Sequence, residues 1–118
     1  MFEVAGREKT QAPPPHIVWR SLVDPHEPGT RPWLQLRDDE VEPHVLVALE
    51  PELVVWSSIW PARADDRIRF DVRPHDGGTA LRWTLLAPVP EEDPEEVRRL
   101  RRRLNELING SLRESYDQ

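Results

Sequence analysis

Arg67-Ile-Arg-Phe-Asp-Val-Arg73, then Pro74-His-Asp-Gly-Gly78, then Thr79-Ala-Leu-Arg-Trp-Thr-Leu-Leu86, is the stretch that decides the fold. Ile68, Phe70 and Val72 alternate with Arg67, Arg69, Asp71 and Arg73, the period of two of a half-buried strand. Leu81, Trp83 and Leu85 alternate with Arg82 and Thr84 in the same way. Asp76-Gly77 between the two runs favours a tight hairpin of the primed kind. Downstream, Asp93 stands as N-cap, Pro94 at the first helical position and Glu96 three residues past the cap, a capping-box pattern. Val97, Leu100, Leu104, Leu107, Ile108, Ser111 and Leu112 then form one stripe of a long amphipathic helix. That stripe must lie on something apolar, and the dry face of the sheet is the surface long enough to take it. The pattern predicts an α+β fold: a curved antiparallel sheet gripping a long C-terminal helix, with a pocket between the two.

Working toward the N-terminus, Pro61 to Asp66 reads as a turn and Leu53-Val-Val-Trp-Ser-Ser-Ile-Trp60 as a strand apolar on both faces, hence central. Glu50-Pro-Glu52 is a turn. His44 to Leu49 is a strand with Val45, Val47 and Leu49 on one face, and Asp38 to Pro43 is an acidic turn. Trp33 to Leu36 is expected as a short strand after the proline- and glycine-broken loop from His26 to Pro32. Pro13-Pro-Pro15 stops any strand and starts a short helix over His16–Val23, in which Val18 and Leu22, and Trp19 and Val23, are neighbours four apart. Phe2 to Gly6 is a brief first strand.

The 118 residues predict one domain, spanning 1–118, with a single modest core. With 37% of residues apolar, the five tryptophans carry much of the buried area available. No cysteine is present, which removes disulfides, thiolate metal sites and thiol nucleophiles together. A net charge of −6 argues against a nucleic-acid partner held by phosphate neutralisation. No apolar run reaches membrane-spanning length and no signal-peptide core follows Met1, so a cytoplasmic protein is expected.

Three segments together resemble the SRPBCC superfamily, the helix-grip proteins that include START lipid-transfer domains, polyketide cyclases and the Bet v 1 allergen. Ala12-Pro-Pro-Pro-His-Ile-Val-Trp-Arg-Ser-Leu-Val-Asp24 is similar to the helix that follows the family's first strand. Gly77-Gly-Thr-Ala-Leu-Arg-Trp83 is similar to its glycine-glycine-threonine entry into a late strand, and the terminal helix stands in the expected place. The chain departs from the pattern between the first helix and the middle strands. There the family commonly has a second short helix and a longer early hairpin, and here only Pro25 to Trp33 fills the interval. The trimming implies a small or largely filled pocket in place of a lipid-sized one.

The resemblance implies a cavity for a small hydrophobic or aromatic ligand between sheet and helix. The residues expected to line it are Trp33, Trp56, Ser58, Phe70, Trp83, Leu104, Ile108 and Leu112. Trp56, Ser58 and Trp60 are expected on one strand face, where the indole N–H groups and Ser58 would orient a planar or isoprenoid guest. The competing reading is that the tryptophans simply fill a small core. Arg98-Arg99 and Arg101-Arg-Arg103 could form an anion-binding face, but they fall opposite the apolar stripe, and Glu95–Arg99 and Arg102–Glu106 stand at ion-pair spacing. A solvated outer face is the expectation. Asp38, Asp39, Glu40, Glu42 and His44 match no calcium-loop or zinc spacing, so no metal and no cofactor is assigned. His44 is the one histidine placed to enter a pocket as a base. Ser57 and Ser58 lack nucleophile-elbow glycines, and Gly77-Gly78 precedes a strand, so neither covalent catalysis nor a phosphate cradle is expected. Gly110 is expected to let the helix approach the sheet or kink. The inward sheet positions offer almost no titratable group, which favours binding over the cyclase or dehydratase chemistry that the family also contains. A protein-interaction module resembling the Hsp90-activator branch is the third reading, and an exposed apolar patch would mark it.

Overall fold

The computed structural model describes residues 1–117. The strands are β1 (Phe2–Gln11), β2 (Val45–Leu49), β3 (Leu53–Ser57), β4 (Arg67–His75) and β5 (Gly78–Ala87), with helix α1 (Pro15–Val23) after the first and helix α2 (Pro94–Leu104) after the last. They form one antiparallel five-stranded sheet in the order β1-β5-β4-β3-β2. The predicted α+β architecture is present: the sheet holds the long C-terminal helix, and a short helix lies near the N-terminus.

The hairpin forms as its sequence dictates. His75 pairs with Gly78, and the two loop residues Asp76 (φ 46°) and Gly77 (φ 81°) both take the left-handed conformation that a type I′ turn needs. A Cβ on Gly78 would stand 2.4 Å from the Gln11 carbonyl oxygen, so glycine there lets β5 start against the end of β1. Ile68, Phe70, Val72, Leu81, Trp83 and Leu85 are all at most 4% exposed and face Leu100, Leu104, Leu107, Ile108 and Leu112 of the helix.

At the helix start Asp93 Oδ1 accepts the Glu95 N–H at 3.0 Å. Glu96 does not reach back to complete the capping box. It takes Arg99 Nε at 2.6 Å instead, one turn along. Beyond Leu104 the helix widens: Asn105–Leu112 is π-helical, and the Arg113 N–H reaches Ile108 O five residues back. A last α-turn, Arg113–Ser115, closes it. Gly110 lies inside this segment, and a Cβ there would meet only Asn105 O at 3.9 Å, so close approach to the sheet does not explain the glycine.

Several expectations are corrected. β1 runs the full length of β5, from Phe2–Ala87 to Gln11–Thr79, and is not a brief strand. It reads poorly because an edge strand carries charges, here Glu3, Arg7, Glu8 and Lys9. Trp33 to Leu36 forms no strand: Trp33 and Leu34 are buried as a plug in the core. β3 ends at Ser57, because Ser58 Oγ turns back on its own backbone, accepting from Trp60 N at 3.0 Å and donating to Trp60 O. Trp56, Ser58 and Trp60 therefore do not share a strand face. In β2 a bulge falls between Val45, opposite Trp56, and Val47, opposite Val55. It sends Val45 to the helix side with Ala48, and Val47 and Leu49 to the other side, so the three do not share a face.

The arginine run also divides differently from the expectation. Glu96, not Glu95, pairs with Arg99, and Glu106 is taken by Arg37 at 2.6 Å. Arg103 is no surface residue. Its guanidinium makes two 2.7 Å bonds to Glu40, with the two side chains 8% and 1% exposed, and a third to the Gln35 carbonyl at 2.8 Å. Glu40, read as part of an acidic surface turn, is buried.

Candidate binding groove

The tryptophans show where polar groups are spent inside this core and where they are not. Trp56 Nε1 donates to Leu22 O at 2.9 Å, Trp19 Nε1 to Leu53 O at 3.2 Å, and Trp83 Nε1 to Asn105 Oδ1 at 3.1 Å. Trp33 Nε1 and Trp60 Nε1 are buried with no partner among the described residues. A buried donor left unpaired costs about 1–3 kcal/mol.

The Trp83 bond also fixes the direction of a chain of amides. An indole only donates, so Asn105 presents its oxygen to Trp83. The same oxygen accepts Asn109 Nδ2 at 3.1 Å, and Asn109 Oδ1 accepts Gln11 Nε2 at 3.4 Å. Gln11 Oε1 is then left buried without a donor. The π-helical turn thus ties β5 through Asn105 and β1 through Asn109.

Two grooves meet at Tyr116. One, of ≈ 420 Å³, runs between α1 (Ile17, Ser21), the Gly29–Trp33 loop and Tyr116, with Trp33 in its wall. The other, of ≈ 770 Å³, lies over the hairpin turn and the end of β1, with Gln11 in its wall. Tyr116 separates them. Its hydroxyl donates to Ser21 Oγ at 2.9 Å, and Ser21 Oγ donates in turn to Ile17 O at 3.1 Å. Burial pushes the Tyr116 phenol up to about 12, the Ser21 bond opposing this only partly, so the phenol acts as a donor and not as a base. Arg31 Nη1 donates to the Glu114 and Asp117 carbonyls at 3.1 and 3.2 Å, fastening the loop to the end of the helix.

The residues expected to line a cavity fall into two groups. Trp56, Phe70, Trp83, Leu104, Ile108 and Leu112 are fully buried and packed on one another, and Ser58 is buried in its own turn. Trp56 meets Phe70 edge-on at 4.7 Å between ring centroids and stacks on Trp33 at 6.0 Å. None of these seven lines either groove. Trp33 alone of the eight does. Ile17, Ser21, Tyr116 and Gln11, which line the two grooves, are not among the residues expected from the sequence. Ile17 and Ser21, four apart on a short helix, were the available signal.

His44 is exposed, and its backbone N–H, not its ring, meets Ser57 Oγ at 2.8 Å. Among the described residues no three His, Asp or Glu side chains gather as metal ligands. Arg98, Arg101 and Arg102 flank a separate open groove with Arg7 and Lys9 of β1. No helix among the described residues is long and apolar enough to cross a membrane.

No family model matches the chain, and no curated protein matches its sequence. Solved structures do match. CalU16 from Micromonospora echinospora superimposes with a TM-score of 0.65 at 13% identity, over 89% of this chain and 71% of that one. An AHSA1-like protein from Rhizobium etli gives 0.60 at 19% identity, over 95% and 79%. The chain has the helix-grip fold. A third helix-grip structure, described as the Aha1 dimer from Colwellia psychrerythraea, matches at 0.59 and 14% identity over 93% of this chain and 98% of that one. At these identities the likeness is one of fold, and the packed interior described above belongs to this chain.

Proposed function

We propose that this helix-grip protein is a non-catalytic cytoplasmic binder of a small hydrophobic or aromatic molecule, taken up in the groove between α1, the Gly29–Trp33 loop and Tyr116. The observation that carries the reading is Trp33. Trp33 lines the groove, its ring is stacked on Trp56, and its Nε1 is buried without an acceptor among the described residues. A guest with a flat apolar body and one hydrogen-bond acceptor, reaching the indole edge as the groove opens around it, would supply the missing partner. The acceptor contributes about 1–3 kcal/mol, and Ile17 and the Tyr116 ring offer apolar contact.

The test is a tryptophan-fluorescence titration against aromatic polyketides, fatty acids and isoprenoids, run on the native chain and on Trp33→Phe and Ile17→Asp. Saturable quenching by one class, weakened about tenfold or more in both variants, is the expected result. Absence of a saturable response across the panel, or binding that neither variant changes, overturns the assignment to this groove. The protein-interaction reading has an observation of its own, the exposed apolar strand β2.

A further inference from the structure

Every residue of β2 is exposed, although its sequence is Val-Leu-Val-Ala-Leu. Val45, Leu46, Val47 and Leu49 stand 39%, 48%, 39% and 58% open. Single exposed apolar side chains are ordinary, but four in five consecutive residues form a patch that calls for a cover. The strand is last in the order β1-β5-β4-β3-β2, so one row of its backbone N–H and C=O groups faces away from the sheet. The opposite edge is guarded in the usual way, with Glu3, Arg7, Glu8 and Lys9 along β1. β2 carries no charge at all. Apolar on both faces, it has the composition of an internal strand while standing at an edge. Among the described residues no segment of the chain covers it.

We propose that β2 is a dimerisation strand, and that its free edge pairs antiparallel with β2 of a second copy to join two five-stranded sheets into one. A two-fold axis is the natural operator, because an antiparallel strand pair is self-complementary. The regular stretch after the bulge, Val47–Leu49, carries the new ladder. An axis near Ala48 sets Val47 of each copy opposite the partner's Leu49. The same operator brings the His44 end of each strand to the acidic Glu50–Glu52 end of the other, and no like charges meet within the strand. The two-fold self-match of an uncharged apolar strand thus favours a second copy over an unrelated strand.

The test is sedimentation velocity on the full chain from about 1 µM to about 1 mM. A concentration-dependent dimer is expected, its dissociation constant raised about a hundredfold or more by Val47→Lys with Leu49→Lys. Both side chains are exposed, so the variant should keep the native circular dichroism and melt. In a chain without cysteine, Ala48→Cys should cross-link as a disulfide-bonded dimer on mild oxidation, and Thr10→Cys on the opposite edge should not. A chain that stays monomeric throughout, or a dimer that the lysine pair does not weaken, overturns the proposal. So does a monomer that instead binds a strand of another protein.

Discussion

Removal of one partner of the Glu40–Arg103 pair puts the packing argument to its most direct test. The carboxylate is 1% exposed and the guanidinium 8%, with two charge-assisted bonds of 2.7 Å between them. Glu40 also accepts the Arg37 N–H at 2.9 Å, and Arg103 donates to the Gln35 carbonyl. Arg103→Met leaves the carboxylate buried with one N–H, and Glu40→Ala leaves the guanidinium with one carbonyl and a distant Glu106 at 3.9 Å. Each should cost about 3–5 kcal/mol. For a domain of this size that is a fall in melting temperature of roughly 10–20 °C. Glu40→Leu combined with Arg103→Met removes both charges and should cost less than either single change, with a coupling above about 2 kcal/mol in the cycle. The pH dependence has a defined sign. Burial raises the Glu40 carboxyl, but the Arg103 and Arg37 hydrogen bonds and charges outweigh it and hold the group below its ordinary value of 4.5. The stabilisation is therefore present above pH 4.5 and is lost as the pH falls through the lowered folded value. Urea and thermal unfolding of the four proteins at neutral and acid pH measure all of this. Single variants that lose under about 1 kcal/mol, as exposed pairs do, would falsify the claim that this loop is pinned by a buried ion pair.

Leu104→Asp places a carboxylate at a fully buried position facing the sheet and should abolish the cooperative melt, read by tryptophan fluorescence. Asn105→Ala should cost about 1–3 kcal/mol by stranding Trp83 Nε1, and Asn105→Leu with Trp83→Phe should recover part of that loss in urea titrations. Because the folded Tyr116 phenol is pushed up to about 12 from 10, stability should be intact below pH 10 and fall by about 2–3 kcal/mol in all as the pH rises from 10 through and past 12. Tyr116→Phe should lack that alkaline limb. Gly78→Ala drives a methyl group to 2.4 Å from Gln11 O and should lower stability by more than about 1 kcal/mol, with hydrogen exchange quickened first at the end of β1.

The hairpin and the helix were legible because their information is local: β4 and β5 alternate strictly, and Asp93-Pro94 marks a start that needs no distant partner. β1 was not, since an edge strand has charges where an inner strand has apolar groups. Trp33 looked like the opening of a strand because its role, a plug against Trp56, is set by a residue far along the chain. The Glu40–Arg103 pair lies 63 positions apart and has no spacing to detect. The bulge at Leu46 broke the alternation on which the reading of β2 depended. Among the expected cavity residues, hydrophobicity identified what is buried but not what is open, since a core residue and a pocket residue have the same composition. What separates the two is the contact each side chain makes with distant segments, and that is visible in the fold alone.

The π-helical segment has a consequence for how this chain can change. A π-helical turn holds one residue more than the α-helical turn it replaces, so Asn105–Leu112 works as an inserted register step in the helix. Deleting one residue there would restore α-geometry with little change of direction downstream, because the wider turn spends its extra residue on the same sweep of the helix. The half of the helix before Asn105 would keep its seat on the sheet, and Tyr116 would stay beside Ser21. Length variation at this one point is thus absorbed by the width of the turn, and the core and the groove mouth both stay as they are.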